Sequence, residues 1–137
     1  VKPTKYEYSA TVHRVVDGDT VYFKLESSYG ISVDFGFGIL DFLELKKEAI
    51  VEFRLAGIDT PETVGATRDA GLAAKVALER LLGAGKIRLV SHKADKYGRW
   101  LADVYVTRAV DGVEIDVCQE LIKGGYAKPY DGGTKRP

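Results

Sequence analysis

The longest apolar stripe at helical spacing in this 137-residue chain covers residues 67–82, and its place among the other elements constrains the fold more than any other feature. Ala70, Leu72, Ala73, Val76, Ala77, Leu78 and Leu81 recur along it, and Gly83 and Gly85 close it. Three strand-like stretches precede this helix and two follow it. Residues 6–16 alternate, and residues 20–25 resume the alternation after Asp17-Gly18-Asp19, so the two predict a hairpin around an acidic turn. Residues 49–58 are rich in branched side chains and carry Arg54. Residues 86–91 and 100–107 supply the last two strands, joined by a loop containing Asp95-Lys96-Tyr97-Gly98-Arg99.

Five short strands with a helix between the third and fourth is the connectivity of an OB-type barrel, a fold that often binds oligonucleotides on its open face. A second helix is predicted over residues 113–123, where Val113, Val117 and Leu121 form a stripe with Cys118 beside it and Gly124-Gly125 ends it. The fold class expected is therefore mainly β, a five-stranded barrel with two packed helices. Residues 31–45 are apolar but interrupted by Gly36 and Gly38, which predicts an irregular extension of the second strand. Residues 126–137 are polar and turn-rich. With no repeats or linkers, residues 1–137 read as a single domain.

Hydrophobic residues make up 45% of the chain, enough for a core at this length. Lys plus Arg balance Asp plus Glu at 20 each, so no large basic field exists to hold a nucleic acid non-specifically, and any anion must be met by local charge. Residues 26–52 are mostly acidic, whereas Lys86, Arg88, Lys93, Lys96 and Arg99 cluster on and just after one strand. Cys118 is the single cysteine, which excludes an intrachain disulfide, and its apolar setting predicts a buried thiol. No apolar run approaches the ~20 residues that span a bilayer, and no signal peptide is visible, so no membrane partner is expected. The chain starts at Val1 and has no Met, as a processed or trimmed form would.

Two acidic turns stand beside strands: Asp17-Gly18-Asp19-Thr20 and Asp59-Thr60-Pro61-Glu62. Carboxylates and carbonyls are the ligands that hard divalent cations take. Arg54 and Arg99 would grip phosphate, because a planar guanidinium matches two phosphate oxygens at once. Each element also has a plainer reading. Asp-Gly is a favoured turn dipeptide. Asp59 with Glu62 three residues on would suit a capping box, Arg54 shares a strand face with Glu52 and could pair with it at the surface, and residues 95–99 would serve as a solvated turn. What the plain readings leave to accident is the gathering of all four sets in one small barrel.

The ordered set Asp-Gly-Asp-Thr, then Phe-Arg-Leu with Asp-Thr-Pro-Glu a few residues later, then Asp-Lys-Tyr-Gly-Arg, closely resembles the thermonuclease family, typified by staphylococcal nuclease. The resemblance covers nearly the whole chain. It implies an OB barrel with packed helices and a calcium-dependent endonuclease that cleaves DNA and RNA at the 5′ P–O bond, leaving 3′-phosphate ends. Carried over by motif, Asp19 and Asp59 match the calcium carboxylates, Thr60 the residue lending its carbonyl, and Glu62 the general base. Arg54 and Arg99 match the phosphate-binding arginines. Lys96 and Tyr97 sit where the family contacts a neighbouring phosphate, Tyr130 approximates a base-stacking tyrosine with Tyr126 a weaker counterpart, and Asp17 resembles an acid standing behind the ligands. No obligate protein partner is implied. A secreted, bacterial extracellular setting would suit the family, but the compartment stays open.

The chain departs from the staphylococcal pattern in an insertion at residues 32–45 and in lacking the family's third, C-terminal helix. Two rival functions remain at this point. A catalytically silent OB module for nucleic acid or protein, like the nuclease-like repeats of Tudor-containing proteins, typically loses acidic ligands or arginines, and here all are present. The other is a phosphatase or phosphodiesterase of small substrates.

Overall fold

The computed structural model describes residues 6–26, 33–34, 39–40, 49–92 and 100–130. In chain order the strands are β1 (Tyr6–Asp17), β2 (Thr20–Glu26), β3 (Val33–Asp34), β4 (Ile39–Leu40), β5 (Ala49–Leu55), β6 (Ile58–Asp59), β7 (Gly85–Ser91), β8 (Trp100–Arg108), β9 (Glu114–Asp116) and β10 (Lys128–Pro129). Two α-helices, α1 (Arg68–Leu82) and α2 (Val117–Lys123), complete the described residues, with a 3₁₀ turn at Gly65–Thr67 leading into α1.

The main sheet runs β5-β2-β1-β7-β8-β9, and a parallel pairing of β5 with β8 closes its first five strands into a barrel. Phe53 stands opposite Trp100, Arg54 opposite Leu101 and Leu55 opposite Ala102 across that seam. Closure removes the free edges that an open sheet would expose. The 12-residue β1 makes the ring possible by serving two neighbours: Tyr6–Ala10 pairs with β7, and the stretch from Ser9 to Asp17 pairs with β2. Register shifts between Val12 and Arg14 and between Val15 and Asp17 are bulges that add the bend such a strand needs.

Alternation dictates what fills the barrel. In β2 the side chains of Val21, Phe23 and Leu25 are buried while Lys24 is exposed; Phe53 and Leu55, Ile87 and Leu89, and Ala102, Val104 and Val106 continue the interior from the other strands. The Phe23 and Phe53 rings meet at 6.2 Å and 58°. Ala77, Leu78 and Leu82 of α1 and Val117, Cys118 and Leu121 of α2 join the same core. Burial pushes the Cys118 thiol up to about 12, so the sulfur acts as a small hydrophobe with no nucleophilic role.

The second helix is shorter than residues 113–123. Residues 114–116 form β9 against Tyr105–Thr107 of β8, Val113 is exposed, and Asp116 caps α2 by accepting from the Gln119 amide at 3.2 Å. A capping aspartate after branched Val113 and Ile115 makes the strand-to-helix switch at that point, which the apolar stripe alone conceals. Residues 33–34 and 39–40 pair with each other in a separate two-strand ladder and do not extend β2.

Replacing Phe53 by Ala removes a fully buried ring beside the closing seam. Urea unfolding of Phe53→Ala should show a loss of about 3–5 kcal/mol, the range for deleting a buried aromatic side chain.

Candidate active site

The hairpin turn between β1 and β2 aims its acids by local hydrogen bonds. Asp17 and Thr20 are paired across it; the Asp19 amide donates to Asp17 Oδ1 at 3.1 Å, and the Thr20 hydroxyl donates to Asp19 Oδ1 at 3.1 Å. The Asp19 carbonyl accepts from the Leu55 amide at 2.8 Å, which fastens the turn to the end of β5. The turn also seats on α1. A Cβ on Gly18 would stand 2.8 Å from Ala74 Cβ and 3.0 Å from Thr60 Cβ, so only glycine permits this approach.

Arg54 is drawn to that turn from the penultimate residue of β5. Its side chain points away from the core filled by Phe53 and Leu55, yet the residue is only 8% exposed. Nη1 meets Asp19 Oδ2 at 2.8 Å, Nη2 donates to the Ile58 carbonyl at 2.9 Å, and Nη2 stands 3.7 Å from Asp59 Oδ1. The guanidinium carbon lies 5.4 Å from the centre of the Tyr130 ring. Arg54 thus pairs with Asp19 and not, as the plain reading would have it, with Glu52.

The second acidic segment is a two-residue strand followed by an irregular stretch with a bend, not a helix start. Ile58 and Asp59 pair with Pro129 and Lys128 of β10, the Tyr130 amide donates to the Gly57 carbonyl at 2.8 Å, and α1 begins only at Arg68 with no side-chain cap from Thr67. The capping-box reading of Asp59 and Glu62 therefore fails. The Thr60 amide donates to Asp19 Oδ2 at 3.2 Å, which joins the two acidic segments directly.

These contacts polarise the carboxylates in opposite senses. Burial, reinforced by the hydrogen bond and charge of Asp19, raises the Asp17 carboxyl to about 6. Burial works the same way on Asp19, but the Asp17 hydrogen bond, the Arg54 charge and hydrogen bond and the Thr60 amide outweigh it and hold Asp19 below its ordinary value. For Arg54, burial opposes the charge, while Asp19, Asp59 and Tyr130 reverse that effect and keep the guanidinium protonated.

Among the described residues, Asp17, Asp19 and Asp59 set three carboxylates against the guanidinium of Arg54, so with all of them ionised this part of the cluster is short of positive charge. The Thr60 hydroxyl is buried with no hydrogen-bond partner among the described residues, a polar atom that calls for a bound water or ligand. Oxygen donors alone, a charge deficit and an orphaned hydroxyl fit a hard divalent cation. Among the described residues no three His, Cys, Asp or Glu side chains form a ready cage, so such a cation would depend on carbonyl and water oxygens as well as carboxylates.

The structure thus brings together Asp17, Asp19, Arg54, Asp59, Thr60 and Tyr130. Glu62 is exposed three residues beyond Asp59, on the segment that Thr60 anchors. Lys96, Tyr97 and Arg99 lie outside the described residues. Arg88, counted with the basic cluster, is engaged elsewhere: it bonds Glu7 at 2.8 Å and Glu114 at 3.0 Å and stacks on Tyr105. Sequence reasoning missed β10 and the packing of Gly18 and Gly71 against the acidic segments, because a two-residue strand carries no period and a glycine in a helix reads only as a weak propensity.

A closed five-stranded barrel with an arginine buried between two acidic segments at one end defines an OB-type barrel with a polar, charged site. The model for the staphylococcal nuclease homologue family matches residues 52–136, and the chain belongs to that family. Among curated relatives, the probable endonuclease lcl3 of Aspergillus terreus (strain NIH 2624 / FGSC A1156) is 36% identical over 91 residues, covering 62% of this chain and 31% of that protein. The probable endonuclease lcl3 of Penicillium rubens is 34% identical with the same coverage. That of Pyrenophora tritici-repentis (strain Pt-1C-BFP) is 28% identical across 98% of this chain and 52% of its own length. The chain spans about a third of the length of the first two relatives.

The opposed carboxylates set a pH dependence. The folded protein retains the Asp17 proton up to about 6 whereas the unfolded chain releases it near 3.8, so stability should fall as pH rises through that interval. Asp19, held low, acts in reverse: its contribution is present above the ordinary carboxyl value and lost as pH falls below it. Urea unfolding between pH 4 and about 7 without divalent cations should show the first decline in the parent and not in Asp17→Asn.

Proposed function

We propose that this domain is a calcium-dependent endonuclease that hydrolyses phosphodiester bonds of DNA and RNA, cutting the 5′ P–O bond to leave 3′-phosphate ends. The observation that carries the reading is the Arg54 guanidinium, buried between Asp19 and Asp59 with Tyr130 over its face. Membership of the staphylococcal nuclease homologue family supports it.

Asp19, Asp59 and the Thr60 carbonyl would hold calcium, which when bound supplies Lewis-acid polarisation of a phosphate oxygen. Glu62, exposed on the same segment, takes a proton from water and aims the oxygen at phosphorus. Arg54 offers its fork to the non-bridging oxygens, and its hold strengthens as charge gathers on them in the transition state. Arg99 takes a second share of that charge, with Lys96 and Tyr97 on an adjoining phosphate and Tyr130 against a base. Asp17, hydrogen-bonded behind Asp19, keeps that carboxylate ionised and aimed.

Plasmid DNA and an RNA oligonucleotide incubated with the protein and calcium should be degraded to products ending in 3′-phosphate, and a chelator should stop it. Binding without cleavage would identify a silent module, and hydrolysis confined to small phosphate esters would identify a phosphodiesterase. Glu62→Gln should lower kcat by about 10²–10³-fold with circular dichroism unchanged. Full turnover by the folded variant would remove Glu62 from the mechanism.

A further inference from the structure

Gly71 lies in the first turn of α1, at a point where no side chain fits. A Cβ there would stand 2.2 Å from the Glu62 carbonyl oxygen, 2.5 Å from its carbonyl carbon and 2.8 Å from the Thr63 amide nitrogen. All three neighbours are backbone, so none can rotate aside. Helix propensity disfavours glycine at such a position, and Gly71 is itself buried. The same carbonyl oxygen accepts a hydrogen bond from the Thr67 hydroxyl at 2.9 Å. Two groups from the start of one helix therefore fix the Glu62–Thr63 peptide, one by donating to it and one by leaving it room.

We infer that Gly71 is a positioning residue for Glu62: the missing side chain lets the Glu62 peptide dock on α1, and this docking sets where the carboxylate stands. The inference rests on the proposed role of Glu62 as the group that takes the proton from water. Asp19 and Arg54 are held by β2, β5 and the Thr60 amide, contacts in which Gly71 has no part. Displacing the Glu62 peptide should thus disturb proton transfer and spare the charged cluster. The Thr67 bond makes the same point from the opposite direction, since losing it loosens the peptide without crowding it.

The test is a kinetic cycle on the full chain with calcium. Gly71→Ala should lower kcat by about 10²-fold, the scale of a misplacement near 1 Å, with KM and calorimetric calcium affinity little changed. In a Glu62→Gln background the same substitution should cost nothing further, because the group it displaces no longer acts. Thr67→Val, at an exposed site, should give a smaller kcat loss of the same pattern and carries the test if Gly71→Ala does not fold. An unchanged kcat in folded Gly71→Ala, or in Thr67→Val where the former is unfolded, overturns the inference. An equal further loss in the Glu62→Gln background also overturns it, since that marks a merely structural effect. Full activity of Glu62→Gln alone would instead bring down the role assigned to Glu62, a result distinct from either.

Discussion

A guanidinium removed from water is costly unless nearly all its donors are engaged, and the far end of this barrel is arranged around meeting that requirement for Arg54. Asp19 comes to it from the β1–β2 turn, the Ile58 carbonyl and Asp59 from β6, and Tyr130 from the segment after β10. Three pieces of chain, two of them distant in sequence, are thereby held against one side chain. The barrel seam carries Arg54 itself, since Phe53 and Leu55 on either side are fixed in the core and the pleat leaves only the outer face for it.

The same arrangement ties charge to function. Whatever anion enters must share Arg54 with carboxylates already on it, and whatever cation enters shares those carboxylates with Arg54. Under the proposed function, a site in which both partners are present before any ligand arrives would be preorganised for an ion pair of the opposite arrangement, cation on the acids and anion on the guanidinium. The hydrogen bonds from Thr20 and Thr60 to Asp19 leave its direction little freedom.

The barrel was legible because its strands alternate and its main helix has an apolar period: Val21, Phe23 and Leu25 face inward as the pattern requires, and Ala77 and Leu78 join them in one core. The stripe itself was read too wide, because Ala70, Ala73 and Val76 are exposed and the buried face runs through Gly71, Ala74 and Leu82. The acidic turn and the buried Cys118 were legible for the same reason, being local. Residues 113–123 misled because Val113 fits the helical stripe by spacing, while the decisive signal was the single aspartate at 116 that starts α2 by capping it. The partners of Arg54 were beyond reach of local pattern: its bond to Asp19 depends on the β2–β5 register, and its contact with Tyr130 on a two-residue ladder. Lys96, Tyr97 and Arg99 rest on motif alone, outside the described residues.

The short ladder between β6 and β10 ties Asp59 to Lys128, so the acidic segment that follows β5 is braced by residues made almost seventy positions later. During synthesis, the ribosome must release Lys128 and Pro129 before this brace can form. A growing polypeptide consequently carries its acids and Arg54 without the strand that completes their setting until β10 has been made, and the cluster matures only then.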